Sequence, residues 1–138
     1  MIALTRRYAF PAAHVLSSDQ LDEGENDRIF GKCANPNGHG HNYGIEVTVS
    51  GPVEPESGQI VPLTALDRLF SNTVGEPFSH RMLNELEAFA GRVPTAENIA
   101  RVVFERLAPA IQQHTRAKLA RVRVIETSRN SSEVGEVQ

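Results

Sequence analysis

The sequence predicts an α+β fold, an antiparallel four-stranded sheet with two helices on one face. Three observations carry that prediction. Strand-like segments occupy the two ends of the chain, helical periodicity is confined to its middle, and no repeat or long linker divides its 138 residues. Strands, then helices, then strands is the order of a layered α+β domain rather than of alternating βαβ units. A single domain over 1–138 is expected.

The first strand is predicted over residues 2–13, rich in Ile, Leu, Thr, Tyr and Phe, with Pro11 marking an edge position or a bulge near its end. Residues 16–38 read as a long polar connection, with acidic and amide side chains crowded between Asp19 and Asp27. A connection of that length in a small domain usually serves function or moves. From His39 the pattern alternates: His39, His41, Tyr43, Ile45, Val47 and Val49 share one face, and Asn42, Gly44, Glu46, Thr48 and Ser50 the other. That is the period of a strand with one buried face. GPVEPESGQ then turns the chain.

A helix is predicted over 64–74, capped by Thr64, with Leu66, Leu69, Phe70 and Val74 on one stripe. A second begins after Pro94, with Thr95 as N-cap and Glu97 favouring the positive helix end. Its stripe is Ile99, Val102, Val103 and Leu107, and Pro109 is expected to kink or end it. Alternation returns over 118–127, where Val122, Val124 and Glu126 share a face, and a short strand near 133–137 closes a hairpin. Such a sheet has two edges that need cover or a partner, so an oligomer is expected.

Composition narrows the function. Fourteen basic against seventeen acidic side chains give a formal charge of −3, which argues against a general nucleic-acid binder. The one cysteine, Cys33, cannot form an internal disulfide. No apolar run approaches the ~20 residues a membrane span needs, and the first residues do not read as a signal peptide. A cytoplasmic protein is expected.

His39 and His41 are the strongest local signal. At i and i+2 on a strand their imidazoles point the same way, so both can reach one metal, and Gly40 leaves the backbone free to bend. His14 ends the preceding strand, where antiparallel pairing would bring it alongside. Three neutral histidines suffice for zinc and leave a coordination position open. An HxH pair also arises by composition alone at a strand end. Cys33 stands five residues before His39, across ANPNG. Its spacing leaves three roles open: a small buried hydrophobe, a thiolate of lowered pKa beside a metal, or a fourth ligand that closes the site. Glu126 ends an apolar face and must meet solvent, a donor or a ligand. His80, in EPFSHRML, does not stand out by itself.

FGKCANPNGHGHNY, Phe30 to Tyr43, closely resembles the signature of the 6-pyruvoyl-tetrahydropterin synthase family. FPAAH, Phe10 to His14, resembles the segment carrying that family's first zinc ligand. PTAENIA (Pro94 to Ala100), EPFSH and VIET resemble its second helix start, its relay-histidine segment and its pterin-anchoring strand end. The matches run in order over about residues 8–127.

The resemblance implies a tunnelling-fold ββααββ subunit, three of which close a barrel, with two trimers stacked into a homohexamer and active sites between subunits. It implies zinc on His14, His39 and His41, Cys33 as the base, His80 in the proton relay, Glu126 gripping the pterin, and Thr95 and Glu97 at the substrate. The reaction implied is conversion of 7,8-dihydroneopterin triphosphate to 6-pyruvoyl-tetrahydropterin with release of triphosphate. Two departures stand out. Ser79 replaces an aspartate before the relay histidine, and Ala96 replaces a second threonine. Lys32 and Arg7 flank the expected site and are candidates for phosphate contact. A relative, 6-carboxytetrahydropterin synthase of 7-deazapurine biosynthesis, is the alternative, but it typically places three residues where this chain has five. A non-catalytic, zinc-stabilised pterin-binding module is a third reading.

Overall fold

Four antiparallel strands in the order β1-β2-β3-β4 form the sheet of the computed structural model, which describes residues 2–135. β1 (Ile2–His14) pairs with β2 (His39–Gly51) along its whole length, from Ile2 opposite Gly51 to His14 opposite His39. β3 (Lys118–Ile125) lies against β2, and β4 (Ser131–Gly135) against β3. β1 and β4 are therefore the edges, which suits Pro11, whose missing N–H breaks no rung inside the sheet. The last strand lies two residues earlier than predicted, and residues 136 and 137 of that prediction fall outside the described residues.

The connection between β1 and β2 is more ordered than its polarity suggests. It holds α1 (Glu23–Phe30) and a 3₁₀ turn over Gly31–Ala34. Asp22 caps α1 by accepting the Glu25 N–H, and Asn26 ties the preceding loop through Ser18 and Leu21. No residue of α1 is buried. Without an apolar stripe, the sequence period had nothing to report.

α2 runs Leu63–Phe70 with Pro62 at its N-cap, so Thr64 lies inside the helix and caps nothing. The chain continues through a π turn (Ser71–Gly75) into the short α3 (Glu76–Phe78). α4 runs Ala96–His114 and passes through Pro109 without ending there. Pro109 is exposed, so the carbonyl it deprives of a partner, four residues back at Glu105, lies on a solvent-facing side. Thr95 caps α4 by accepting the Asn98 N–H, as predicted.

The core lies between the sheet and these helices. Tyr43, Ile45, Val47 and Val49 of β2 and Val122 and Val124 of β3 pack against Leu66, Phe70, Ile99, Val103, Leu107 and Ile111. Each such side chain contributes roughly 1.5–3 kcal/mol of burial. The opposite face of the sheet is polar but not wholly solvated. Glu46 is buried there between Arg7, at 2.8 Å, and Arg123, at 3.3 Å, and Thr48 bonds Thr5 at 2.8 Å.

The edge of β1 is partly covered. The His80 N–H donates to the Pro11 carbonyl, the Ala13 N–H to the Arg81 carbonyl, and Ala13 bridges Met82. Among the described residues no helix is long and apolar enough to cross a membrane.

Candidate metal centre and the residues around it

The register of β1 and β2 builds the site. Pairing His14 with His39 puts a third imidazole beside the two that alternation already aligns on β2. The candidate ligand atoms of His14, His39 and His41 all lie within 4.8 Å of one another. The Nε2 atoms of His14 and His39 are 2.9 Å apart. His14 is fully buried, and its Nδ1 lies 2.8 Å from the Pro94 carbonyl oxygen, an acceptor only. Nδ1 therefore carries the proton, and Nε2 turns its lone pair toward the other two rings.

The cluster fits a cation. His41 Nε2 and His39 Nδ1 are buried without a hydrogen-bond partner, and a buried polar atom left unpaired is costly. A divalent ion among the three rings would satisfy His41 Nε2. The environment also favours the ligating form. Burial lowers the pKa of His14 and of His39, with neighbouring imidazoles adding to the effect, so both rings favour the neutral state that binds metal.

Cys33 sits on the 3₁₀ turn, half-buried, with its carbonyl held by the Leu16 N–H at 2.7 Å. Its sulfur is not among the mutually close donor atoms, so the structure groups three ligands rather than four. Burial first, then the charge of Glu126, pushes the thiol up, opposite to the lowered value that a thiolate beside a metal would have. Glu126 lies just past the end of β3, not within it, where its N–H meets the Asn130 carbonyl. Its charge raises the pKa of His14, His39, Cys33 and Tyr43 alike, in each case as a smaller effect than burial.

The other candidates make contacts of their own. Thr95 uses its hydroxyl as the α4 cap, and Glu97 accepts from the Ser132 hydroxyl at 3.3 Å. His80 is exposed on the β1 edge, where it lines a shallow cavity of about 500 Å³ with His41, Pro11, Ala13, Asn42 and Met82. It is the one non-glycine among the described residues with a positive φ, 60°. The Ser79 hydroxyl donates to the Gly75 carbonyl, so it closes a helix end instead of meeting the imidazole. Arg7 is committed to Glu46 on the polar face of the sheet, and Lys32 is exposed next to Cys33.

A family model for 6-pyruvoyl tetrahydropterin synthase matches residues 3–136. The chain belongs to the 6-pyruvoyl tetrahydropterin synthase family. It is 38% identical over 128 residues to the human 6-pyruvoyl tetrahydrobiopterin synthase, covering 92% of this chain and 86% of that one. The solved 6-pyruvoyl tetrahydropterin synthase of Caenorhabditis elegans superposes with a TM-score of 0.87 at 35% identity, covering 99% of this chain and 96% of the other. A putative 6-carboxy-5,6,7,8-tetrahydropterin synthase from Archaeoglobus fulgidus is 34% identical over 96 residues, 70% of this chain and 74% of its own. As a member of the synthase family the chain is an enzyme of the lyase type, and its sheet and helices form the tunnelling-fold subunit.

Two groups at the family site escape sequence reasoning. The Pro94 carbonyl is backbone, so no residue type announces it. Tyr43 reads as one more apolar position of β2, although its hydroxyl lies 3.1 Å from His14 Nδ1.

Proposed function

We propose that this enzyme converts 7,8-dihydroneopterin triphosphate to 6-pyruvoyl-tetrahydropterin with release of triphosphate, using zinc held by His14, His39 and His41. The observation that carries the reading is the three-imidazole cluster, with His14 buried, His39 and His41 half-buried, and His41 Nε2 unpartnered. Zinc at that place supplies a Lewis acid, which makes oxygen-bound protons of a substrate more acidic and offsets negative charge developing on oxygen.

The chain's own groups do the rest. Glu126 accepts hydrogen bonds from the pterin ring and exocyclic nitrogens and so fixes the ring, with Thr95 and Glu97 at the same end of α4. Cys33 takes the carbon-bound proton as general base. Burial and the Glu126 charge hold the Cys33 proton in place, so the thiol becomes a base only when positive charge on the imidazole cluster offsets them. His80 belongs to the proton relay, in a site that lies between subunits. Its exposure on the β1 edge, and the open edges β1 and β4, support a homohexamer built as a dimer of trimers. Without a carboxylate at position 79, the His80 imidazole lacks a charged partner from its own turn, which favours a slower relay.

Incubation of the zinc-loaded protein with 7,8-dihydroneopterin triphosphate, followed by identification of the pterin product, tests the reading. The pyruvoyl compound is expected. A 6-carboxy product would move the chain to that relative's activity. Bound pterin without turnover would leave a non-catalytic binding module.

A further inference from the structure

Tyr43 is a tyrosine where packing alone would accept phenylalanine. It is fully buried on β2 in an aromatic group with Phe10, and Phe10 in turn meets Phe78. A buried hydroxyl is costly unless it finds a partner. Its one hydrogen-bond partner among the described residues is His14 Nδ1, at 3.1 Å. The same Nδ1 lies 2.8 Å from the Pro94 carbonyl oxygen.

Because that carbonyl only accepts, Nδ1–H is the donor, and the Tyr43 oxygen serves as its second acceptor in a three-centre bond. The hydroxyl therefore acts on His14 through this hydrogen bond.

We propose that Tyr43 is a positioning residue for the metal site, its hydroxyl and the Pro94 carbonyl together holding His14 with Nε2 turned toward His39 and His41. The inference rests on reading the three histidines as a metal site. Two oxygens on Nδ1–H do two things. They fix the ring plane, and they draw on the proton so that Nε2 becomes a stronger donor. Both effects strengthen metal binding, and partners of this kind typically change affinity 10–100-fold. The device also joins β1 to the start of α4. His14 stands between a strand-borne hydroxyl and the carbonyl that immediately precedes the α4 cap Thr95.

Tyr43→Phe removes the hydroxyl and keeps the ring. Zinc affinity is measured by competition with a chromophoric chelator, and thermal unfolding is followed on the metal-free protein. The expected result is a zinc Kd weakened at least about tenfold, with metal-free unfolding shifted by no more than a few degrees. An affinity within twofold of the parent overturns the proposal. So does a loss of metal-free stability large enough to account for the whole effect. Failure of the parent itself to bind zinc would instead sink the metal-site reading. If the variant does not fold, the zinc-loaded parent decides by imidazole NMR. The His14 Nδ1 proton should be protected from exchange and lie close to the Tyr43 ring, and a rapidly exchanging proton overturns the assignment.

Discussion

His14 and His39 stand directly opposite one another across β1 and β2, with their Nε2 atoms 2.9 Å apart. Two lone-pair donors at that distance repel unless a proton or a cation lies between them. The buried, unpartnered Nε2 of His41 adds a third donor to the same spot. His39→Ala and His41→Ala are each expected to lose stoichiometric zinc and activity, while His80→Ala keeps zinc. Atomic absorption on the dialysed proteins checks this, and undiminished zinc in both cluster variants would exclude the site.

Asp67 gives an acid-side prediction. It accepts two bonds from Arg6, at 2.7 and 2.9 Å, and one from the Tyr8 hydroxyl at 2.8 Å. The Arg6 bond first, then that of Tyr8, lowers its pKa. The unfolded chain therefore binds the proton first, so the stabilisation is complete above about pH 4 and disappears as pH falls through the lowered value. Asp67→Asn should flatten the stability curve in that window and leave it almost parallel at neutral pH. The group is well exposed, so the loss at pH 7 should stay within about 1 kcal/mol. Urea unfolding at a series of pH values measures both.

Most of this was legible in the residues, for physical reasons. Alternation from His39 to Val49 exists because one face of β2 is buried, and the same alternation aligns His39 with His41. Pro11 announced an edge, and β1 is one. What escaped has no periodic signal. α1 buries nothing, so it carries no stripe, and it is held instead by Asp22 and Asn26. Pro109 predicted a kink or an end, and the helix does not end there because burial of Leu107 and Ile111 on either side overrides the proline. At the site, spacing aligned His39 with His41 and strand pairing was needed to bring in His14, whereas the Tyr43–His14–Pro94 contacts depend on a 29-residue and an 80-residue separation that no local pattern encodes.

Pro109 leads to a stability prediction of opposite sign. It is exposed inside α4 and costs the helix one hydrogen bond, so Pro109→Ala should stabilise the protein. The gain from restoring the helix is about 3 kcal/mol, reduced by up to about 1 kcal/mol because alanine frees the unfolded chain. Chemical denaturation should show a higher midpoint with an unchanged slope. A lower midpoint would mean that the proline bend itself is needed for packing.

The two sheet edges motivate a prediction about assembly. Among the described residues, β1 is covered only near Pro11 and Ala13, and β4 borders β3 alone within the sheet. Sedimentation at micromolar concentration is expected to give a hexamer, or at least a trimer. A fully active monomer would remove any role for His80 in a neighbouring site.

Cys33 is the proposed general base. Its sulfur stands outside the three-nitrogen cluster, so Cys33→Ala should keep zinc and the fold. If the thiolate takes the substrate proton, turnover should fall at least about a hundredfold, the lower range for loss of a general base. Cys33→Ser should recover little, because an alcohol holds its proton too tightly at neutral pH. The parent's own field sharpens the test. Burial and Glu126 push the thiol up, so in metal-free protein Cys33 should be alkylated slowly near pH 7. Adding zinc should accelerate alkylation, because positive charge on the histidines favours the thiolate. Glu126→Gln should accelerate it as well, by removing a negative charge. If zinc leaves with Cys33→Ala, the sulfur was a ligand and the binding-module reading gains. If zinc and turnover both survive, another group takes the proton, and the roles given to Cys33 and His80 fall together.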